Sequence, residues 1–107
     1  MTDKLTAFSN RDIATRDRLE DYAADALITT AGGLTLRVAI VCDGAGGGEA
    51  GEMAARLTAR TVMEALQIST ESNVPRLLVR AVERANAVVY SELRGAGTST
   101  IGVLVVN

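Results

Sequence analysis

The sequence predicts an α+β layered domain whose elements run in the order hairpin, two helices, strand. Three observations lead there. Two apolar runs flank the dipeptide Gly32-Gly33, two later segments repeat apolar residues at helical spacing, and a β-branched run occupies Thr98–Val106. A hairpin followed by paired helices fits a layered α+β domain better than alternating βαβ units, which would need strands and helices interleaved.

Tyr22 to Thr29 reads as the first strand and Leu34 to Cys42 as its return, with the two glycines supplying the turn. In the returning strand Leu34, Leu36, Val38 and Ile40 share one face, and Thr35, Arg37, Ala39 and Val41 share the other. Its inner end is therefore apolar on both sides, as expected of a central strand. Asp43 to Gly51 reads as a glycine-rich loop. From about Glu49 to Ile68 the apolar residues fall on a helical face, and Met53, Met63 and Leu66 are expected in the core. Leu78, Ala81, Val82, Ala85, Val88 and Val89 mark a second helix, started by a Ser72 or Asn73 cap with Pro75 in the first turn. Thr98–Val106 reads as a buried strand, with Thr98 and Thr100 as structural residues. An apolar strand running up to Asn107 leaves an open edge, which marks the chain as part of a larger domain and predicts self-association of the isolated fragment.

Composition excludes several functions. A length of 107 residues holds one core, and 48% apolar with 22% charged residues is the balance of an ordinary globular domain. A net charge of −2, with the basic residues dispersed, argues against a nucleic-acid surface. No stretch is long and apolar enough for a membrane span, and the N-terminus lacks a signal-peptide core, so a cytoplasmic protein is expected. Cys42 is the only cysteine and lies within an apolar run, which predicts a buried thiol. With no histidine in the chain, Ser–His, Cys–His and His-based zinc chemistry are excluded within it.

Carboxylates are left. Glu20-Asp21 precede the first hairpin strand and Asp43 follows the second, so antiparallel pairing brings them together. At ~6 Å and an effective dielectric near 20, each such pair repels by roughly 3 kcal/mol. A hard cation such as Mg²⁺ or Mn²⁺ reverses the sign, and Gly44 would let a backbone carbonyl approach it. Taken singly, an acidic pair before a strand or an Asp-Gly after one is also what a solvated turn contains. A rival reading concerns Gly46-Gly47-Gly48-Glu49-Ala50-Gly51, which matches the G-x-G-x-x-G dinucleotide fingerprint. Asp43 beside an anionic pyrophosphate, and a hairpin in place of a parallel strand, count against it.

The segment Arg16-Asp17-Arg18-Leu19-Glu20-Asp21, the hairpin, and Asp43-Gly44-Ala45-Gly46-Gly47 together resemble the start of a type 2C metal-dependent serine/threonine protein phosphatase. Gly51-Glu52-Met53-Ala54-Ala55 is similar to that family's Gly-Glu-x-Ala-Ser helix opening, and Gly95-Ala96-Gly97-Thr98-Ser99-Thr100 to its Gly-x-Gly-Thr-Thr strand entry. The resemblance spans nearly the whole chain and implies that residues 1–107 form the N-terminal part of an α-β-β-α sandwich. It further implies a two-metal centre of Mn²⁺ or Mg²⁺ in which Asp43 bridges the ions, the Gly44 carbonyl binds one, and Glu20 and Asp21 complete the shell. Arg16 would grip the phosphate of a phosphorylated protein substrate, although Arg11 and Arg18 lie close by in sequence. A metal-activated water would attack phosphorus directly.

The chain departs from the family pattern at Leu19, Ala45, Gly48 and Ala96. The family's other metal-binding aspartates lie further downstream than Asn107, so this chain alone is expected to be inactive. The alternative is a degenerate phosphatase fold that binds a partner protein without catalysis.

Overall fold

The computed structural model describes residues 6–7, 21–47 and 49–107. Its elements are β1 (Thr6–Ala7), β2 (Asp21–Thr29), β3 (Thr35–Gly46), α1 (Ala50–Ile68), α2 (Val74–Leu93) and β4 (Gly97–Val106). They form an antiparallel sheet in the order β1-β2-β3-β4, with both helices on one face. Hairpin, two helices and strand therefore follow in the expected order, and β3 is central.

The hairpin turn shows why the two glycines are needed. Thr30 N–H donates to the Leu34 carbonyl at 2.8 Å, Gly33 N–H donates to the Thr30 carbonyl at 2.9 Å, and Leu34 N–H donates to Thr30 Oγ1 at 3.1 Å. Gly33 takes a left-handed φ of 94°. Gly32 is required for a different reason, since a Cβ there would lie 2.9 Å from the Thr70 carbonyl oxygen. That closeness lets the tip dock on the end of α1. Ala31 and Gly32 donate their N–H groups to the carbonyls of Gln67 and Ser69, at 2.8 and 3.0 Å. A helix C-terminus has carbonyls with no partner of its own, and the hairpin tip supplies donors for them.

Periodicity decides the layers. Along β3, Leu36, Val38, Ile40 and Cys42 are buried under the helices while the residues between them are exposed. They meet Ala24, Ala26 and Ile28 of β2, Ala55, Ala59, Val62, Met63 and Leu66 of α1, and Leu77, Ala81 and Ala85 of α2. Alanines at 54, 55 and 59 let the backbone of α1 approach the sheet closely. The second helix lies mainly against α1, and its backbone comes nearest the sheet at β4. It begins where the cap signals placed it, with Asn73 Oδ1 accepting from Arg76 N–H at 2.9 Å and Pro75 in the first turn. It ends on Arg94 in the left-handed region, followed by Gly95 at φ 83°.

Three expectations are corrected. The segment from Asp43 onward is not a loop throughout, because β3 continues to Gly46. Residues 43–46 find ladder partners in Gly97–Thr100, and long-range pairing overrides the turn tendency of Asp-Gly. Met53 is not core, being 52% exposed on the outer side of α1. The last strand is not buried on both faces. Ile101, Val103 and Val105 lie toward the helices, whereas Leu104 and Val106 are 64% and 53% exposed on the opposite face.

Cys42 is a buried thiol, as expected. Burial pushes its pKa up to about 11, with a smaller opposing effect from a hydrogen bond with Ser99. A neutral thiol at neutral pH is a poor nucleophile, which leaves Cys42 a packing residue.

Candidate metal-binding strand end

The hairpin register sets Asp21 directly opposite Asp43. Hydrogen bonding at the turn determines which kind of pair they make. Because Thr30 N–H donates to the Leu34 carbonyl, Thr30 and Leu34 form a hydrogen-bonded pair. Pair type alternates along an antiparallel ladder, and the register from Thr29↔Thr35 to Asp21↔Asp43 is unbroken. Asp21 and Asp43 are therefore a non-hydrogen-bonded pair, the class with Cα atoms only ~4.5 Å apart and side chains in closest approach. Both carboxylates rise from the face of the sheet that the helices leave open.

The same alternation orients the backbone. The N–H and C=O of Asp43 point toward β4, in agreement with Thr100 Oγ1, which donates to the Asp43 carbonyl at 3.4 Å. Those of Gly44, one residue on, point toward the β2 side. The described β2 register ends at Asp21, so the Gly44 carbonyl turns to that side just past the last described pair. Two carboxylates and one outward-turned carbonyl thus gather at one corner of the sheet. This donor set is all oxygen, the chemistry that Mg²⁺ and Mn²⁺ prefer and zinc-type sites do not. The residues present fit a hard divalent cation.

Close backbone packing sets the height of this corner. A Cβ on Gly46 would lie 2.6 Å from the Ala96 carbonyl oxygen and 3.2 Å from Gly51 N, and one on Gly97 would run into the Ala50 carbonyl oxygen. The end of β3, the start of β4 and the first turn of α1 therefore touch backbone to backbone. Ala50 N–H donates to the Gly47 carbonyl at 3.1 Å, closing the short connection into α1. The glycines are used for close approach within the fold. The dinucleotide reading does not survive, because both neighbours of β3 are antiparallel to it and no parallel βαβ unit exists among the described residues.

Of the residues singled out from the sequence, Asp21, Asp43 and Gly44 are brought together. Arg16 and Glu20 lie outside the described residues. Among the described residues no group of three or more acidic, cysteine or histidine side chains forms a metal cluster, and the corner brings together two described carboxylates. Thr100, read from the sequence as a structural strand residue, stands next to Asp43 in the β3–β4 ladder. Its hydroxyl extends the row Asp21–Asp43–Thr100 across three strands, and the 57-residue separation of Asp43 and Thr100 hides that neighbourhood from any local pattern. No described helix is long and apolar enough to cross a membrane.

No protein-family model matches the chain, and no curated protein matches it. Its architecture is similar to that of a serine/threonine phosphatase from S. agalactiae, with a TM-score of 0.71 over 96% of this chain. Sequence identity is 16%, and the match covers 43% of the phosphatase chain. The likeness is one of fold: this chain has the architecture of part of a serine/threonine phosphatase and spans less than half of that protein's length.

Proposed function

We propose that residues 1–107 form the N-terminal part of a metal-dependent phosphatase domain that removes phosphate from phosphoserine or phosphothreonine in proteins. The observation that carries this reading is the Asp21–Asp43 pair, two carboxylates held in the closest cross-strand arrangement a sheet allows. Like charges directly opposite each other repel, and a cation held between them would relieve that repulsion. The phosphatase-like fold supports the same reading independently.

Asp43 and Asp21 would hold Mn²⁺ or Mg²⁺ together with the Gly44 carbonyl, and Glu20 is assigned to the same shell. When bound, such an ion supplies Lewis acidity and lowers the pKa of a bound water. The contribution of this chain is to fix the carboxylates on adjacent strands, where they need no reorganisation to receive the ion. Arg16 is assigned to the substrate phosphate, which a guanidinium fork can meet with two hydrogen bonds. The family's remaining metal-binding aspartates would come from further polypeptide, so the 107 residues alone should bind metal weakly and turn over no substrate.

Titration of the chain with Mn²⁺ by calorimetry tests the proposal, with Asp43→Asn as the comparison. Weak binding that disappears in the variant is expected. In a polypeptide that also carries the downstream ligands, phosphate release from a phosphothreonine peptide should require Mn²⁺ or Mg²⁺ and be lost in Asp43→Asn. Turnover with metal removed would refute the mechanism. Absence of any Mn²⁺ binding would favour the non-catalytic protein-binding reading.

A further inference from the structure

Asp43 has a cross-strand neighbour on each side. Asp21 stands opposite it on β2, and Thr100 stands opposite it on β4. Because the N–H and C=O of Asp43 point toward β4, Asp43 and Thr100 are a hydrogen-bonded pair, with Cα atoms ~5.5 Å apart. Partners in a ladder share a face, so the Thr100 side chain rises beside the Asp43 carboxylate, and both residues are exposed. Ser99, one residue earlier, faces the other way, and its side chain hydrogen-bonds with the buried Cys42 thiol.

The Thr100 hydroxyl is loosely held. Its 3.4 Å contact with the Asp43 carbonyl is much longer than the ~2.7–2.8 Å usual for O–H···O. A hydroxyl also carries two acceptor lone pairs, and among the described residues no group donates to this one. An acceptor without a donor therefore stands next to a carboxylate of the metal corner.

We infer that Thr100 is a positioning residue of that corner, its oxygen accepting a hydrogen bond from a water in the shell of the Mn²⁺ or Mg²⁺ held by Asp21 and Asp43. This role rests on the metal reading above and adds a partner outside the ligand shell to it. Mg²⁺ takes its ligands in an octahedron and keeps several of them as water. Water on a divalent cation is polarised and donates strongly, so its protons need acceptors on both sides of Asp43. Asp21 offers one on the β2 side, and Thr100 Oγ1 is placed to offer one on the β4 side. Thr98 shares the same face of β4 but stands opposite Ala45, which is ~7 Å further along the strand and away from the carboxylates. Groups that orient a metal's ligands from outside are worth tenfold to a hundredfold in affinity.

Titration of the 107-residue chain with Mn²⁺, followed by the electron paramagnetic resonance of the free ion, tests this role. Thr100→Val keeps the branched shape and loses the oxygen, and should weaken Mn²⁺ binding about tenfold. Thr100→Ser, which restores the hydroxyl, should retain wild-type affinity. Thr98→Val makes the same change two residues away and should leave affinity unaltered. In EDTA the urea midpoint of Thr100→Val should equal that of the wild type, whereas a merely structural role would lower it. Saturation of the wild type with Mn²⁺ should then raise its midpoint above that of the variant at the same concentration. Equal Mn²⁺ binding by wild type and Thr100→Val overturns the inference and leaves the metal reading standing. So does a loss that Thr100→Ser fails to rescue, or one that Thr98→Val shares. A wild-type chain that binds no Mn²⁺ removes the metal reading, and the role of Thr100 with it.

Discussion

Replacing Asp43 with asparagine removes one of two carboxylates that stand directly opposite each other, and in the absence of metal this should stabilise the fold. The magnitude follows from the pairing. In a non-hydrogen-bonded pair the carboxylates sit ~5–6 Å apart, and Coulomb's law gives about 2.8 kcal/mol of repulsion at an effective dielectric of 20 and about 0.7 in water. Asp43 is exposed, which draws the value toward the aqueous limit even though Asp21 is half-buried with its Oδ1 shielded from solvent. A gain of ~0.5–1 kcal/mol is expected, in line with the range measured for cross-strand pairs. Urea unfolding in EDTA at pH 7 and low salt reads it as a shift in midpoint at constant slope. The gain should shrink as salt is raised. Saturating Mn²⁺ should reverse the order, because only the wild type binds it, and metal at 100-fold its dissociation constant adds about 2.7 kcal/mol. A loss of more than ~1 kcal/mol on substitution in EDTA would refute this reasoning and make Asp43 a structural residue of the turn into α1.

Other outcomes test the packing. Gly97→Ala forces a Cβ into the Ala50 carbonyl oxygen, backbone against backbone, and should lower stability by roughly 2 kcal/mol or more, read by thermal unfolding. Asn73→Ala removes the side-chain acceptor for Arg76 N–H and should cost about 1 kcal/mol, with Asn73→Ser nearly neutral in the same unfolding assay. Cys42 has a folded pKa raised to about 11 from 9.0, so its unfolded form loses the proton first. Its contribution is full below pH 9 and is lost as pH rises toward 11, amounting to at most ~3 kcal/mol. Denaturant melts of the wild type and Cys42→Val between pH 8 and 11 should therefore diverge, with the wild type falling faster. At the acid end, Glu71 has its pKa lowered chiefly by the Asn73 N–H, with Arg76 and Arg80 adding to it. Stability from Glu71 should be present above its unfolded pKa and fade as pH drops through the folded one, an effect that Glu71→Gln removes.

Local chemistry was legible in the sequence because it rests on near neighbours along the chain. The Gly32-Gly33 turn, the Asn73 cap with Pro75, the alternation of Leu36, Val38 and Ile40, and the helical spacing of α2 all follow from backbone geometry within a few residues. The meeting of Asp21 with Asp43 was also legible, since a hairpin needs only its turn to set its register. The pairing of β3 with β4 was not. Their partners lie far apart in sequence, and nothing local says that Asp43–Gly46 will find a ladder in Gly97–Thr100, so that stretch reads as a loop. Met53 and Leu104 failed for a related reason: an apolar side chain announces its chemistry but not whether a neighbour arrives to cover it. Sequence alone thus determined the elements, their order and the acidic corner. Only the tertiary structure decided that Gly46, Gly97 and Ala50 touch backbone to backbone, that Thr100 joins the carboxylate row, and that both helices pack on one face of the sheet, because each depends on distant segments of the chain converging in space.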